Sequence, residues 1–208
     1  MLAVKNGERS GLTMPLYNKN NEQLVFHVHI PKTGGSSVTR MFEENGWVQD
    51  SRFGSIKNHQ QHAMHNLWNQ VLGDNIPKFS VIREPIQRII SEMRGNGKWY
   101  KTLINPWDPN KCVEYIFNKQ LFRSDNHFRK LIEFVDYNKI DEENLKIFRY
   151  EDNWTEQIKN EYGLEGDFPH IVGDLYSPEM DFNLSEKTVK MIKDYYIEDY
   201  KLFYPEKL

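Results

Sequence analysis

Residues 24–37 read Leu-Val-Phe-His-Val-His-Ile-Pro-Lys-Thr-Gly-Gly-Ser-Ser. Leu24 to Ile30 is a short apolar run rich in β-formers, with Asn-Asn-Glu-Gln before it and Pro31 after it, and it predicts a buried strand. Pro31 to Ser37 predicts a glycine-containing turn. Ser36 to about Asn45 predicts a helix, with Val38, Met41 and Phe42 at helical spacing and Gly46 as its stop. A strand, a tight turn and a helix N-terminus together make an anion site. The first helical N–H groups have no partner inside the helix, and the helix dipole adds partial positive charge. Gly34 and Gly35 let backbone approach a ligand without a Cβ in the way, and Lys32, Thr33, Ser36 and Ser37 offer further donors. The order differs from a Walker A loop, in which Gly-Lys-Ser/Thr closes the motif. Here the lysine precedes the glycines.

Working outward, Lys78 to Arg83 (KFSVIR) predicts a second strand that delivers Arg83 to its C-terminal end, the edge at which open α/β sheets bind ligands. Glu84 is placed to cap the next helix, Pro85 takes its first position, and Ile86, Ile89, Ile90 and Met93 form its apolar stripe. Ser91 lies off that stripe, on a face with Gln87 and Arg94. Arg83 and Ser91 could therefore grip one phosphate, as charged fork and hydroxyl donor. Gly95, Gly97, Pro106 and Pro109 suggest a long flexible connection carrying Trp99, Tyr100 and Trp107, whose rings either stack on sugars or fold the segment onto the domain. Further helices are expected at 62–72, 111–119, 126–134 and 153–161. A third strand is expected at Leu145–Tyr150, and Ser185 should cap a last helix reaching about Tyr200. An N-cap role is expected of Asp152 or Asn153. Strands alternating with helices indicate an α/β fold with a central, mostly parallel sheet flanked by helices. The boundaries expected are a loose arm over 1–22 and a single domain over 23–208.

The chain has 208 residues, 38% of them hydrophobic, enough for one domain with a real core. Its net charge of −3 argues against a nucleic-acid binder relying on bulk positive charge. That total conceals an asymmetry. Residues 1–104 hold 13 Lys and Arg against 8 Asp and Glu, whereas residues 105–208 hold 14 against 22. Cys112 is the only cysteine, so no intrachain disulfide can form. No signal-peptide pattern and no membrane-length apolar run is present, and the expectation is a cytoplasmic or otherwise soluble chain.

FHVHIPKTGGSS, followed some fifty residues later by FSVIREPIQRIISEM, resembles the sulfotransferases that use 3′-phosphoadenosine 5′-phosphosulfate (PAPS). The likeness is strongest to the carbohydrate, heparan 2-O-sulfotransferase-like branch, whose loop also reads Pro-Lys-Thr. LKIFRYEDN (145–153), Phe168-Pro169-His170-Ile171 and the tail with Tyr195, Asp199, Phe203 and Tyr204 add weaker similarities. The resemblance implies a P-loop-like sulfotransferase fold. It implies that Lys32, Thr33, Gly34, Gly35, Ser36 and Ser37 hold the 5′ end of PAPS, and that Arg83 and Ser91 hold its 3′-phosphate. It gives Lys32 a catalytic role at the leaving oxygen, and it implies no metal. The expected acceptor is a hydroxyl, most naturally of a neutral or lightly charged glycan.

Such an acceptor must lose its proton, a task suited to histidine. The histidine-dense stretch 58–65 (NHQQHAMH) lies between the two donor motifs, where the related enzymes carry a catalytic histidine. His62 is the first choice and His59 the second. His59, His62 and His65 also have a metal-like spacing, as His27 and His29 share a strand face, but no cysteine or Glu-x-x-His pattern completes a zinc set. Arg123, Ser124, Asn126 and Arg129 form a polar helix start that either touches a substrate or is solvated. Two other functions stand beside the leading one: a non-catalytic PAP- or glycan-binding protein, and a nucleotide-dependent phosphotransferase.

Overall fold

The computed structural model describes residues 16–20, 23–49, 76–123, 125–135, 145–171 and 175–208. Its strands are β1 (Leu16–Lys19), β2 (Gln23–His27), β3 (Val48–Gln49), β4 (Lys78–Ile82) and β5 (Leu145–Arg149). Alternation along these strands sends side chains to two opposite cores. Leu16, Phe26, Ile82 and Leu145 enter one. Tyr17, Val25, Phe79, Val81 and Phe148 enter the other.

Among the described residues seven α-helices cover the two faces: α1 (Gly35–Glu44), α2 (Pro85–Gly95), α3 (Gly97–Leu103), α4 (Pro109–Asn118), α5 (Trp154–Tyr162), α6 (Glu186–Tyr195) and α7 (Ile197–Phe203). Val38 and Phe42 of α1 and Trp154 and Ile158 of α5 pack into the second core. Ile89 and Met93 of α2, Val113 and Ile116 of α4, Ile192 of α6 and Tyr200 of α7 fill the first. No helix among the described residues is long and apolar enough to cross a membrane.

The strand order is β3-β1-β2-β4-β5. β2, β4 and β5 are parallel, but β1 runs antiparallel to both β2 and β3. The sheet is thus mixed, not mostly parallel, and its antiparallel half begins inside the segment read as a loose arm. Leu16 and Tyr17 are fully buried and pair with Phe26 and Val25. Four residues, Leu-Tyr-Asn-Lys, are too few to show a period in sequence.

Other departures have equally local causes. α2 is capped as expected, Glu84 accepting from the Gln87 N–H at 2.8 Å with Pro85 at the first position. Its buried face, however, also takes Arg88 and Glu92, while Ile86 and Ile90 are only half-buried. The Arg88 guanidinium donates to the Arg129 carbonyl and lies 5.7 Å over the Tyr196 ring. Gly95 and Gly97 mark no flexible connection, because α3 starts one residue after α2. A Cβ on Gly97 would sit 2.5 Å from both Met180 Sδ and Ser177 Cβ, so this glycine admits the strap 175–180. The strap is tied down by Ser177 N–H to Arg94 O at 3.0 Å and Lys98 N–H to Leu175 O at 3.2 Å.

Residues 126–134 form two 3-10 turns, Asn126–Phe128 and Leu131–Glu133, not one helix. The buried Asp199 carboxylate interrupts them by accepting the Leu131 and Ile132 N–H groups at 2.8 and 3.1 Å. The last predicted helix breaks at Tyr196. Neither Asp152 nor Asn153 caps α5 with its side chain, since Asn153 is left-handed (φ 53°) and Asp152 pairs with Arg149 at 3.2 Å.

Burial pushes the Asp199 carboxyl up to about 6 against an ordinary 3.8, although the Leu131 N–H and the Arg88 charge pull the other way. The folded state therefore holds this proton more tightly than the unfolded state. The group's contribution to stability is complete below about 3.8 and is lost as pH rises through about 6. Urea unfolding at a series of pH values should show the wild-type stability, referenced to Asp199→Asn, falling between pH 4 and pH 7. Parallel pH curves for the two proteins would count against this.

Candidate functional site

Because β2, β4 and β5 run the same way, the chain leaves all three at one edge. Val28 N–H to Phe79 O and Tyr150 N–H to Ile82 O, both 2.8 Å, carry the ladders past the strand ends. Beyond β2 the backbone turns through Lys32 (φ 68°) and Gly34 (φ 90°) and enters α1 at Gly35. A left-handed lysine costs about 1–2 kcal/mol. Arg83 Nη1 approaches this turn, donating to the Lys32 carbonyl at 3.4 Å.

Gly34 caps α1 without a side-chain hydrogen bond, and no acidic residue lies in the first turn. The leading N–H groups are thus left for a ligand. Gly34 lies over Trp154, which would come within 3.0 Å of a Cβ there. Gly35 is tighter still: a Cβ would fall 2.0 Å from His29 Nε2, so the imidazole lies directly under the loop. His27 stacks behind His29, at 5.3 Å between ring centroids, and on Phe79 at 4.7 Å.

A cavity of about 360 Å³ opens above this turn, within the roughly 300–1,000 Å³ usual for small-molecule sites. Lys32, Gly34, Gly35, Ser36, Ser37, Arg83 and Ser91 all line it. Thr33 does not: it is buried, and its hydroxyl donates to the Ile30 carbonyl at 2.8 Å, which holds the turn closed. Sequence reasoning expected His27 and His29 near the donor pocket and Arg88 or Arg94 beside the phosphates; His29 and Arg94 line the wall, whereas Arg88 is buried against Arg129 and Tyr196, and Asn96, Tyr150, His170 and Tyr176 were not assigned to it. Tyr150 had a signal in its place, directly after a strand that ends at the binding edge.

Among the described residues the lining carries Lys32, Arg83 and Arg94 and no carboxylate. Burial pulls the Arg83 guanidinium below the ordinary arginine value, with Tyr150, Glu151 and Glu84 opposing that effect. It lies 4.4 Å over the Tyr150 ring, which in turn stacks on Trp154. Among the described residues the Nε atoms of Arg83 and Arg94 are buried without a hydrogen-bond partner. A lysine and two guanidinium groups around one cavity suit an anion.

The walls are held from behind. Glu151 accepts the Glu84 N–H at 3.0 Å and the Tyr204 hydroxyl at 3.1 Å, and Glu84 accepts the Tyr200 hydroxyl. The tail thereby ties the ends of β4 and β5 together. Lys32 Nζ stands 3.5 Å from Glu92 Oε2, beside Gly95, where a Cβ would lie 2.3 Å from the ammonium.

A family model described as "Sulfotransferase family" matches residues 17–205. The chain belongs to the sulfotransferase family. No curated protein and no solved structure matches it. Membership of this sulfotransferase family supports sulfonate transfer to an acceptor as the general activity.

Both candidate bases, His59 and His62, lie outside the described residues, as do His65, the helix expected at 62–72 and Ser124. Arg123, Asn126 and Arg129 do not reach the cavity; Arg129 pairs with Glu133 at 3.5 Å and donates to the Arg123 carbonyl at 3.4 Å. Among the three aromatic residues, Trp107 folds onto the domain through its indole N–H to Asp181 O at 2.9 Å, and Tyr100 is buried. Trp99 on α3 stays 48% exposed.

The Gly35→Ala change tests the loop. The new methyl group must displace the His29 ring, so if adenosine 3′,5′-bisphosphate (PAP), the product of the donor expected from the sequence, sits on this loop, its affinity should fall at least about tenfold, a loss of about 1.4 kcal/mol. Calorimetric titration of PAP into wild type and variant measures it. Equal affinities would show that the loop is not the ligand's floor.

Proposed function

We propose that this protein is a PAPS-dependent sulfotransferase acting on a hydroxyl, most naturally of a carbohydrate. The observation that carries the proposal is the cationic cavity in which the Lys32–Ser37 turn, Arg83 and Ser91 converge from two segments far apart in sequence. The residues fit such a donor: an uncapped helix N-terminus for one anionic end, and a buried guanidinium with a serine hydroxyl for the other. When bound, PAPS supplies the activated sulfuryl group.

The chain's own residues do the rest. The N–H groups at the start of α1, with the Ser36 and Ser37 hydroxyls, hold the 5′ end. Arg83 and Ser91 hold the 3′-phosphate, with Arg94 as a second guanidinium nearby. Lys32 presents a fixed cation where negative charge develops on the leaving oxygen. His62, or His59 in its place, takes the acceptor's proton. Transfer by in-line displacement needs these groups on opposite sides of the transferred group. Resemblance to the carbohydrate branch supports a glycan acceptor, and the exposed Trp99 indole supplies a surface of the kind that stacks on sugars.

Titration with PAP and then with ATP–Mg²⁺ should show clear preference for PAP, and labelled PAPS should pass sulfate to a member of a glycan panel. Preference for ATP–Mg²⁺ would overturn the reading; tight PAP binding with no transfer would indicate a binding protein. Arg83→Ala should weaken PAP about 10- to 100-fold, the worth of a hydrogen bond to a charged group. Lys32→Ala should abolish turnover. His62→Ala should leave PAP affinity nearly unchanged while the rate collapses; loss of rate only in His59→Ala would move the base to that residue.

A further inference from the structure

Glu92 is a buried carboxylate on the side of α2 that faces the first core, one residue after Ser91, with its side chain 4% exposed. Its Oε1 accepts the Asn96 side-chain amide at 2.6 Å and faces the Tyr100 hydroxyl at 3.5 Å. Its Oε2 accepts no hydrogen bond, yet two cationic groups approach it. Lys32 Nζ stands at 3.5 Å and His127 Nε2 at 4.0 Å. His127 comes from a separate segment, the 3-10 turn Asn126–Phe128. Its Nδ1 lies 2.7 Å from Asp125 Oδ1, an acceptor-only carboxylate, so Nδ1 carries a proton. A neutral ring would then turn the Nε2 lone pair toward Glu92 Oε2, whereas a protonated ring turns an N–H toward it.

We propose that His127 is a positioning residue for Lys32, acting through Glu92. With its ring protonated, His127 shares the Glu92 carboxylate and leaves the Lys32 ammonium available to the cavity; with its ring neutral, Glu92 holds Lys32 in the ion pair. The inference rests on the reading of the Lys32 cavity as the PAPS site and adds a pH control to it.

The groups that face the ring support this. Burial lowers the His127 value, but the Asp125 hydrogen bond and the Glu92 and Asp125 charges outweigh burial and opposition from Lys32, so the ring is held above the usual histidine value. Tyr100 and Cys112 border Glu92 from α3 and α4. Both are neutral near pH 7, the thiol being pushed up to about 12 by burial and by Glu92. The bare Gly95 gives the Lys32 ammonium room beside the pair.

The sign follows. Turnover should fall as pH rises through the His127 titration, on the alkaline side of the optimum, while the acceptor's base sets the acid side. His127→Gln should lose that alkaline limb and run slowly at every pH, with PAP still binding. Adding Glu92→Gln to His127→Gln should recover about tenfold of the lost rate, because nothing then retains the lysine.

An NMR titration of the His127 ring tests the coupling without turnover. Its midpoint should move down in Glu92→Gln and up in Lys32→Ala. Unchanged midpoints would overturn the coupling whatever the enzyme transfers. Shifted midpoints in a chain that moves no sulfate from PAPS would overturn the sulfotransfer reading and leave the coupling standing. Shifted midpoints with an intact alkaline limb in His127→Gln, or no recovery in the double variant, would overturn the positioning role. Should His127→Gln fail to fold, Asp125→Asn keeps a capping side chain and should move the limb to lower pH.

Discussion

The parallel pairing of β2, β4 and β5 is the constraint on which the site depends. Parallel strands deliver their C-terminal ends to one edge, and here each end carries a different tool. β2 ends in the turn that holds Lys32, β4 ends at Arg83, and β5 ends at Tyr150 and Glu151. The register Val81↔Phe148 and Ile82↔Arg149 sets Arg83 beside Tyr150, so the guanidinium can lie on the ring. A slip by one residue would turn Arg83 into a core and take it off the cavity wall.

Gathering cations at one edge creates a repulsion that the fold must absorb. It does so with carboxylates held outside the cavity. Glu84 and Glu151 stand behind Arg83 and are steadied by the Tyr200 and Tyr204 hydroxyls, which come from the last forty residues. Glu92 stands behind Lys32. The acidic second half of the chain thus acquires two uses: Glu151 supports the cationic edge from behind, Asp199 organises the turn that follows His127, and neither enters the cavity. Net charge was a poor guide to ligand preference for the same reason, since opposite charges sit in different layers.

Much of this was legible in the sequence because the signals are local. The strand–turn–helix at 24–45 declares itself through a β-rich run, Pro31, two glycines and a helical apolar stripe. The Glu84–Pro85 start of α2 follows from capping rules. The cluster of cavity residues from Lys32 to Ser37 with Arg83 and Ser91 was readable as two motifs. What escaped is what local pattern cannot encode. β1 is too short to show a period. Gly97 resembles a loop breaker until Met180 and Ser177 are seen against it. The 126–134 segment has helix-forming residues, yet Asp199, some seventy positions later, captures its N–H groups.

By itself, then, the sequence determined the α/β class, the glycine turn between strand and helix, the arginine at a strand end and the sulfotransferase resemblance, all features carried by residues within one or two turns of each other. Only the tertiary structure decided that the sheet is mixed, that Thr33 locks the turn and does not face the cavity, that Asn96 and Tyr150 join the wall, and that Glu92 stands between Lys32 and His127. The physical reason is range. Capping, turns and amphipathic spacing are settled by neighbours along the chain, whereas the partner of a buried charge is settled by which segments the packed core brings within a few ångströms.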